Sequence, residues 1–279
     1  MSSEIVFLQH PNPKFQPNKI ILYGVNHCEV IQPELMETLI IKSNQILLEI
    51  DPACPQMSSC PNIYKAYKTL KDIGKIPIRA DIRCHVFNDN DGKFRQKVYN
   101  TKNWTNQDLM KHFFNLTNSL WSGGNLDQRF GELQKNHGDN RWADFTPMKL
   151  LGGAFNKLHP ELQKILFFRW VHIGSMLRKV IENLEKNSVF EKLQIMQIVA
   201  SVTDYSFSCY MLGCKDNDCN TVISIIGNAH VSGVETKSAL EWQGISGFLQ
   251  SQLNYKIVKD DELIKKSDAA HALLDLMDI

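Results

Sequence analysis

Two segments of this chain end a β-branched, aliphatic run with a glycine and place a histidine three residues later. They are KIILYGVNH, with Gly24 and His27, and TVISIIGNAH, with Gly227 and His230. Each reads as a short buried strand, a glycine that lets the backbone turn sharply, and a histidine delivered just beyond the turn. Taken singly, each is most simply a structural histidine. A carboxylate strengthens the pair: Glu49 interrupts the apolar run QILLEI, where a charge is expensive to bury unless a cation, a proton or a metal answers it. If His27, His230 and Glu49 reach one strand edge, two kinds of chemistry open. Neutral imidazoles and a carboxylate ligate Zn²⁺, Mn²⁺, Co²⁺ or Fe²⁺ while leaving positions for water and substrate, and such an ion lowers the pKa of its water and polarises a carbonyl. Without a metal, a histidine paired with a glutamate acts as general base on water, and the second histidine or an arginine stabilises the oxyanion.

Other residues compete for parts in the same site. Asp81, with Arg79 and Arg83, lies on the polar face of IPIRADIR. The carboxyl end of that strand brings Asp81 and Arg83 toward the same rim, where they could orient a histidine or meet an anionic group of a substrate. An amphipathic edge strand explains them equally, and a salt bridge from Glu49 to Arg79 or Arg83 is the plain alternative for Glu49. Asn26 and Asn228 are placed to donate to an oxyanion, although asparagine is common in tight turns for backbone reasons. Glu29 reads as a solvated loop acid. Asp204 interrupts the apolar sequence SVTDYSF and is read as a solvated helix position or a buried hydrogen bond, with a place in the site as the sharper alternative.

The elements that must carry these residues alternate. EIVFLQ and KIILYGV form a strand pair, PELMETLIIKSN a helix, QILLEI a strand, NIYKAYKTLKDIG a helix stopped by Gly74, and PIRADIR a strand. This order implies an α/β fold: a central, mostly parallel sheet flanked by helices, with strand carboxyl ends collecting the site. Residues 86–145 turn polar and rich in asparagine, and they read as a lid or an insertion beside the site within a single domain spanning 1–279. Two long helices follow, from PELQKILFFRW and from SVFEKLQIMQ, making the middle of the chain largely helical. The second is apolar almost all round and should be buried. TVISII, a helix from about Val234 and a short strand YKIV complete the chain.

Composition narrows the classes. With 31 Lys and Arg against 30 Asp and Glu and no basic stripe, nucleic acid is not an indicated partner. No secretory signal and no apolar span of membrane length is legible, so a soluble, cytoplasmic protein is expected. Seven cysteines without paired knuckles read as core and loop thiols of a reducing compartment. The NDNDGK segment fails as a calcium loop, because aligning Gly92 with the turn glycine puts Phe87 and Val98 at ligand positions. The expected partner is a small-molecule or peptide substrate.

The segments ILYGVNH, ILLEIDP and IIGNAHVSG together resemble the Tiki/TraB superfamily, a group that includes the erythromycin esterases and the ChaN-like haem-binding proteins. The resemblance covers about the first 50 residues and a segment near 222–233. It implies an α/β core in which both Gly-x-x-His elements and the glutamate meet, so that His27, Glu49 and His230 carry over by motif. Tiki-like members are metal-dependent proteases, the erythromycin-esterase branch is hydrolytic with a histidine base, and ChaN-like members bind haem. The resemblance therefore implies a hydrolase acting on a peptide or ester bond, or a protein that holds haem, a metal or another small ligand in the same cleft. Two positions depart from the pattern: Val25 stands where a small or hydroxyl residue is common, and EIDPACP lacks the arginine often found after the glutamate.

Overall fold

A computed structural model describes residues 4–25, 38–39, 41, 43–50, 61–82, 151, 154–183, 189–214, 220–233 and 243–259. The expected lid or insertion, 86–145, lies outside them, as do Asn26, His27, Glu29 and Arg83. The strands are β1 (Glu4–Gln9), β2 (Lys19–Val25), β3 (Gln45–Leu48), β4 (Ile78–Arg79), β5 (Thr221–Gly227) and β6 (Lys256–Val258). The helices are α1 (Pro61–Asp72), α2 (Ala154–Lys157), α3 (Pro160–Asn183), α4 (Val189–Leu212), α5 (Asn228–Ser232) and α6 (Gly244–Leu253). Thr38, Leu39 and Ile41 are helical as well.

One six-stranded sheet runs in the order β4-β3-β5-β2-β1-β6. The pairs β4·β3, β3·β5 and β5·β2 are parallel, whereas β2·β1 and β1·β6 are antiparallel. The sheet is therefore mixed, not mostly parallel. The cause is local: the connection from Gln9 to Lys19 is a hairpin that returns the chain beside itself, and β6 then adds to the outer edge of β1. IPIRADIR forms only the two-residue strand β4, beyond which Ala80 and Asp81 still donate backbone N–H groups to Leu48 and Ile50.

Alternation assigns the two faces. Ile20 and Leu22 of β2 join Leu47 of β3 and Val222 and Ile226 of β5 in the core under α3, α4 and α6. Ile21, Tyr23 and Val25 turn the other way, with Ile46, Leu48, Ile223 and Ile225, onto Ile63, Ala66 and Leu70 of α1. A sheet covered on both faces needs near-continuous apolar strands, and these sequences supply them. Helix α4 is buried from Val202 to Cys209, as its all-round apolar sequence requires. Among the described residues, no helix is long and apolar enough to cross a membrane. The cysteine reading needs one correction, because Cys214 is disulfide-bonded, with its partner outside the described residues; Cys209 is a free, buried thiol.

The two Gly-x-x-His segments meet backbone to backbone. Gly24 pairs with Ile226 and Val25 with Gly227. A Cβ on Gly24 would stand 2.3 Å from Asn228 Oδ1, 2.9 Å from Val231 Cγ2 and 3.0 Å from Asn228 Cα. The glycine of the first motif is thus the floor on which the second motif turns into α5. Gly24→Ala should cost about 1–3 kcal/mol in urea unfolding, since one of the obstructing atoms is backbone; a change near zero would show that α5 can lift away freely.

Tyr255, fully buried, donates its hydroxyl to the Pro17 carbonyl at 2.6 Å and ties β6 to the β1–β2 hairpin. Burial pushes its pKa up from the ordinary phenol value. The unfolded chain loses that proton near pH 10 while the fold retains it, so stability from this group is complete below about pH 10 and declines as pH rises above it. Tyr255→Phe should lose about 1 kcal/mol at neutral pH and show a shallower alkaline decline. An equally steep decline would assign the alkaline loss to other groups.

Candidate functional site

His230 is the third residue of α5, a single turn that begins directly where β5 ends at Gly227. On its far side, α5 is closed by Gly244, the first residue of α6, which has φ +61°. A Cβ there would lie 2.5 Å from the Gly233 nitrogen and 2.9 Å from the His230 carbonyl oxygen. Short strand, short helix and tight glycine contact leave the imidazole little freedom.

Two carboxylates flank that ring. Asp204 of α4 lies 2.7 Å from His230 Nδ1 through Oδ1, and Glu49 Oε1 lies 3.6 Å from Nε2. The other Glu49 oxygen, Oε2, accepts the Gly227 backbone N–H at 2.7 Å. Relative exposure is 6% for His230, 5% for Glu49 and 0% for Asp204, so all three groups need partners inside the protein. A carboxylate only accepts, so the Asp204 contact puts a proton on Nδ1 and turns Nε2 toward Glu49.

Glu49 arrives from β3, whose Leu48 pairs with Ile225 and whose Glu49 N–H donates to the Ile225 carbonyl. β2 and β3 are not adjacent in the sheet. The order puts β5 between them, and Glu49 meets the second motif at His230 and Gly227. Asp81, 2% exposed, turns to α4 and accepts the Thr203 hydroxyl at 3.2 Å. One turn further along α4, Ser206 donates to the Ala80 carbonyl. Asp81 thus fastens α4 to the end of β4, the same helix segment that presents Asp204. Asn228 packs over Gly24 as described above. His27 and Arg83 lie outside the described residues.

Asp204, for which the sequence favours a solvated position or a buried hydrogen bond over a place in the site, is the second carboxylate on the ring. Its signal was present: an acid inside a stretch that is otherwise apolar or hydroxyl-bearing. Nothing in the sequence stated its distance to a histidine 26 positions later. Arg169 of α3 adds positive charge near Asp204, and its own pKa is lowered by burial although Asp204 opposes that shift. Burial also raises the pKa of Tyr205, one residue beyond Asp204, and pushes up the Cys209 thiol. Cys209 is therefore an inert packing thiol, not a nucleophile.

The pair Glu49–His230 is compatible with a metal. Two ligands each about 2.0–2.2 Å from one ion stand about 3.3–3.6 Å apart at a tetrahedral angle, close to the observed Oε1 to Nε2 distance. A carboxylate on the remote nitrogen is also the usual support of a ligating histidine. Among the described residues, no three His, Cys, Asp or Glu side chains form a metal-binding group. A resident ion would therefore need a further ligand, the part for which the sequence suggests His27, outside the described residues.

Asp204→Asn should lower stability by about 1–3 kcal/mol and remove the single-tautomer signature of His230. In the parent, nitrogen NMR should show Nδ1 protonated; a proton on Nε2 alone would contradict the orientation set by Asp204. No family model, no curated protein and no solved structure matches this chain.

Proposed function

We propose that the protein is a hydrolase acting on a peptide or ester bond, with His230 as its central reactive group and Glu49 and His27 as its partners. The observation that carries this reading is the buried Asp204–His230–Glu49 arrangement, with its 2.7 Å contact on one ring nitrogen and its 3.6 Å gap on the other. A hydrogen bond does not span 3.6 Å well, whereas an atom placed between Nε2 and Oε1 can contact both.

Asp204 holds the ring and stabilises positive charge when Nε2 takes a proton. Glu49, anchored at Gly227 through Oε2, keeps Oε1 aimed at the same point. Water at that point attacks the acyl carbon; its proton passes to Nε2 and then to the departing amine or alkoxide as the carbon–heteroatom bond breaks. In the metal-dependent alternative, Nε2, Glu49 and His27 would hold a divalent transition ion (Zn²⁺, Mn²⁺, Co²⁺ or Fe²⁺), which would supply a more acidic water and a polarised carbonyl, and Nε2 would then not serve as the base. The motif resemblance to Tiki/TraB proteins supports the same assignment of His27, Glu49 and His230.

The test is hydrolysis of a panel of aryl esters and fluorogenic peptides by the parent, by His230→Ala and by Glu49→Gln, with and without added divalent ions, alongside elemental analysis. Expected are turnover by the parent and losses of at least about 100-fold in both variants. If a metal is used, about one ion per chain should accompany the parent and be depleted in both variants. No turnover under any condition, or turnover indifferent to both substitutions, would overturn the proposal; a Soret band on haem addition that disappears in His230→Ala would redirect it to ligand binding.

A further inference from the structure

A cavity of about 530 Å³ opens between α3, α4 and α6, and Glu49, Asp204 and His230 are not among its described lining residues. That size falls in the range of small-molecule sites. Most of the wall is apolar, with Ile173 and Met176 from α3, Ile198 from α4 and Phe248 from α6. Its permanent charge has one sign: Arg169 lines the cavity, and no other arginine, no lysine, no aspartate and no glutamate is among the described lining residues. Arg169 is half-buried and stacks its guanidinium on the Phe248 ring at 3.8 Å. Among the described residues it has no hydrogen-bond or ion-pair partner; Asp204 acts on it only through space and places Oδ1 against His230. A fork of five donors without an acceptor calls for an anion. The stacking on Phe248 holds the guanidinium plane in place, so little side-chain freedom remains to be lost when an anion arrives.

We propose that this cavity binds a monocarboxylate with a hydrocarbon body, its carboxylate on the Arg169 guanidinium and its chain along Ile173, Met176, Ile198 and Phe248. The wall selects that class over its competitors. A predominantly apolar surface disfavours sugars and nucleotides, whose many polar groups would lose water there without replacement. An uncharged apolar occupant would dry the cavity around a guanidinium that still lacks an acceptor. A phosphate monoester brings about two negative charges to a wall with a single permanent cation among its described residues. A carboxylate brings one, and its two oxygens match the planar fork with parallel hydrogen bonds. The assignment stands on the cavity and Arg169, and it holds whether or not the His230 site is hydrolytic.

Calorimetric titration tests it with four probes: octanoate, butyrate, octanamide and octyl phosphate. The parent should bind octanoate at least about tenfold more tightly than octanamide, as expected for a charge-assisted pair of hydrogen bonds. It should prefer octanoate to butyrate by at least about 30-fold, because the shorter chain leaves much of the apolar wall uncovered. Octyl phosphate should bind more weakly than octanoate. Arg169→Gln should abolish the preference for octanoate over octanamide while leaving octanamide binding in place, and circular dichroism verifies that the variant folds. If it does not fold, the comparison of the four probes on the parent decides alone. Failure of the parent to bind octanoate overturns the proposal, as does equal affinity for octanamide or butyrate, tighter binding of octyl phosphate, or survival of the charge preference in folded Arg169→Gln.

Discussion

The buried carboxylate of Asp204 is the constraint around which the site is arranged. Taking such a charge out of water costs several kcal/mol, and the helix that carries it is apolar around its neighbours and cannot turn it to solvent. His230 Nδ1 meets it at 2.7 Å. Once that bond forms, the ring has one orientation and Nε2 has one direction, toward Glu49. Glu49 has the same problem at the end of β3 and meets it partly with the Gly227 N–H. Each buried charge therefore dictates the placement of the next group.

The fold serves this chain of needs through three short connections. Parallel pairing of β3 with β5 sets Glu49 level with the start of α5. The immediate passage from β5 to α5 brings His230 back over the strand end, and Gly24 gives α5 room to lie against β2. Thr203 and Ser206 anchor α4 to Asp81 and Ala80, which fixes the height of Asp204 against the sheet. Asp81, read in the sequence as a rim acid, contributes to geometry through this anchor.

Much of the architecture was legible because its elements are strongly patterned. The strands of EIVFLQ, KIILYGV, QILLEI and TVISII are largely apolar runs of strand length, and the segments of α3 and α4, 24 residues each, are too long for strands and read as helices. The antiparallel character of β1 and β6 was less legible, since strand direction depends on which edge a short connection reaches, and apolar pattern does not encode that. The position of β5 between β2 and β3 was illegible for the same reason: it is a long-range pairing decided by how both faces of the sheet are buried together.

The sequence by itself determined which groups need an answer in the interior: Glu49 inside an apolar strand, Asp204 inside an apolar helix, and a histidine placed just after a glycine turn. Residue type and local pattern suffice for that, because the cost of burying a charge belongs to the side chain and its immediate surroundings. Tertiary structure alone decided which group answers which. Glu49 faces His230 because β5 is its neighbour, and Asp204 faces His230 because α4 crosses that strand end at one height. Such pairings depend on distances of a few ångströms between segments far apart in the chain, set by packing of the whole sheet and its helices.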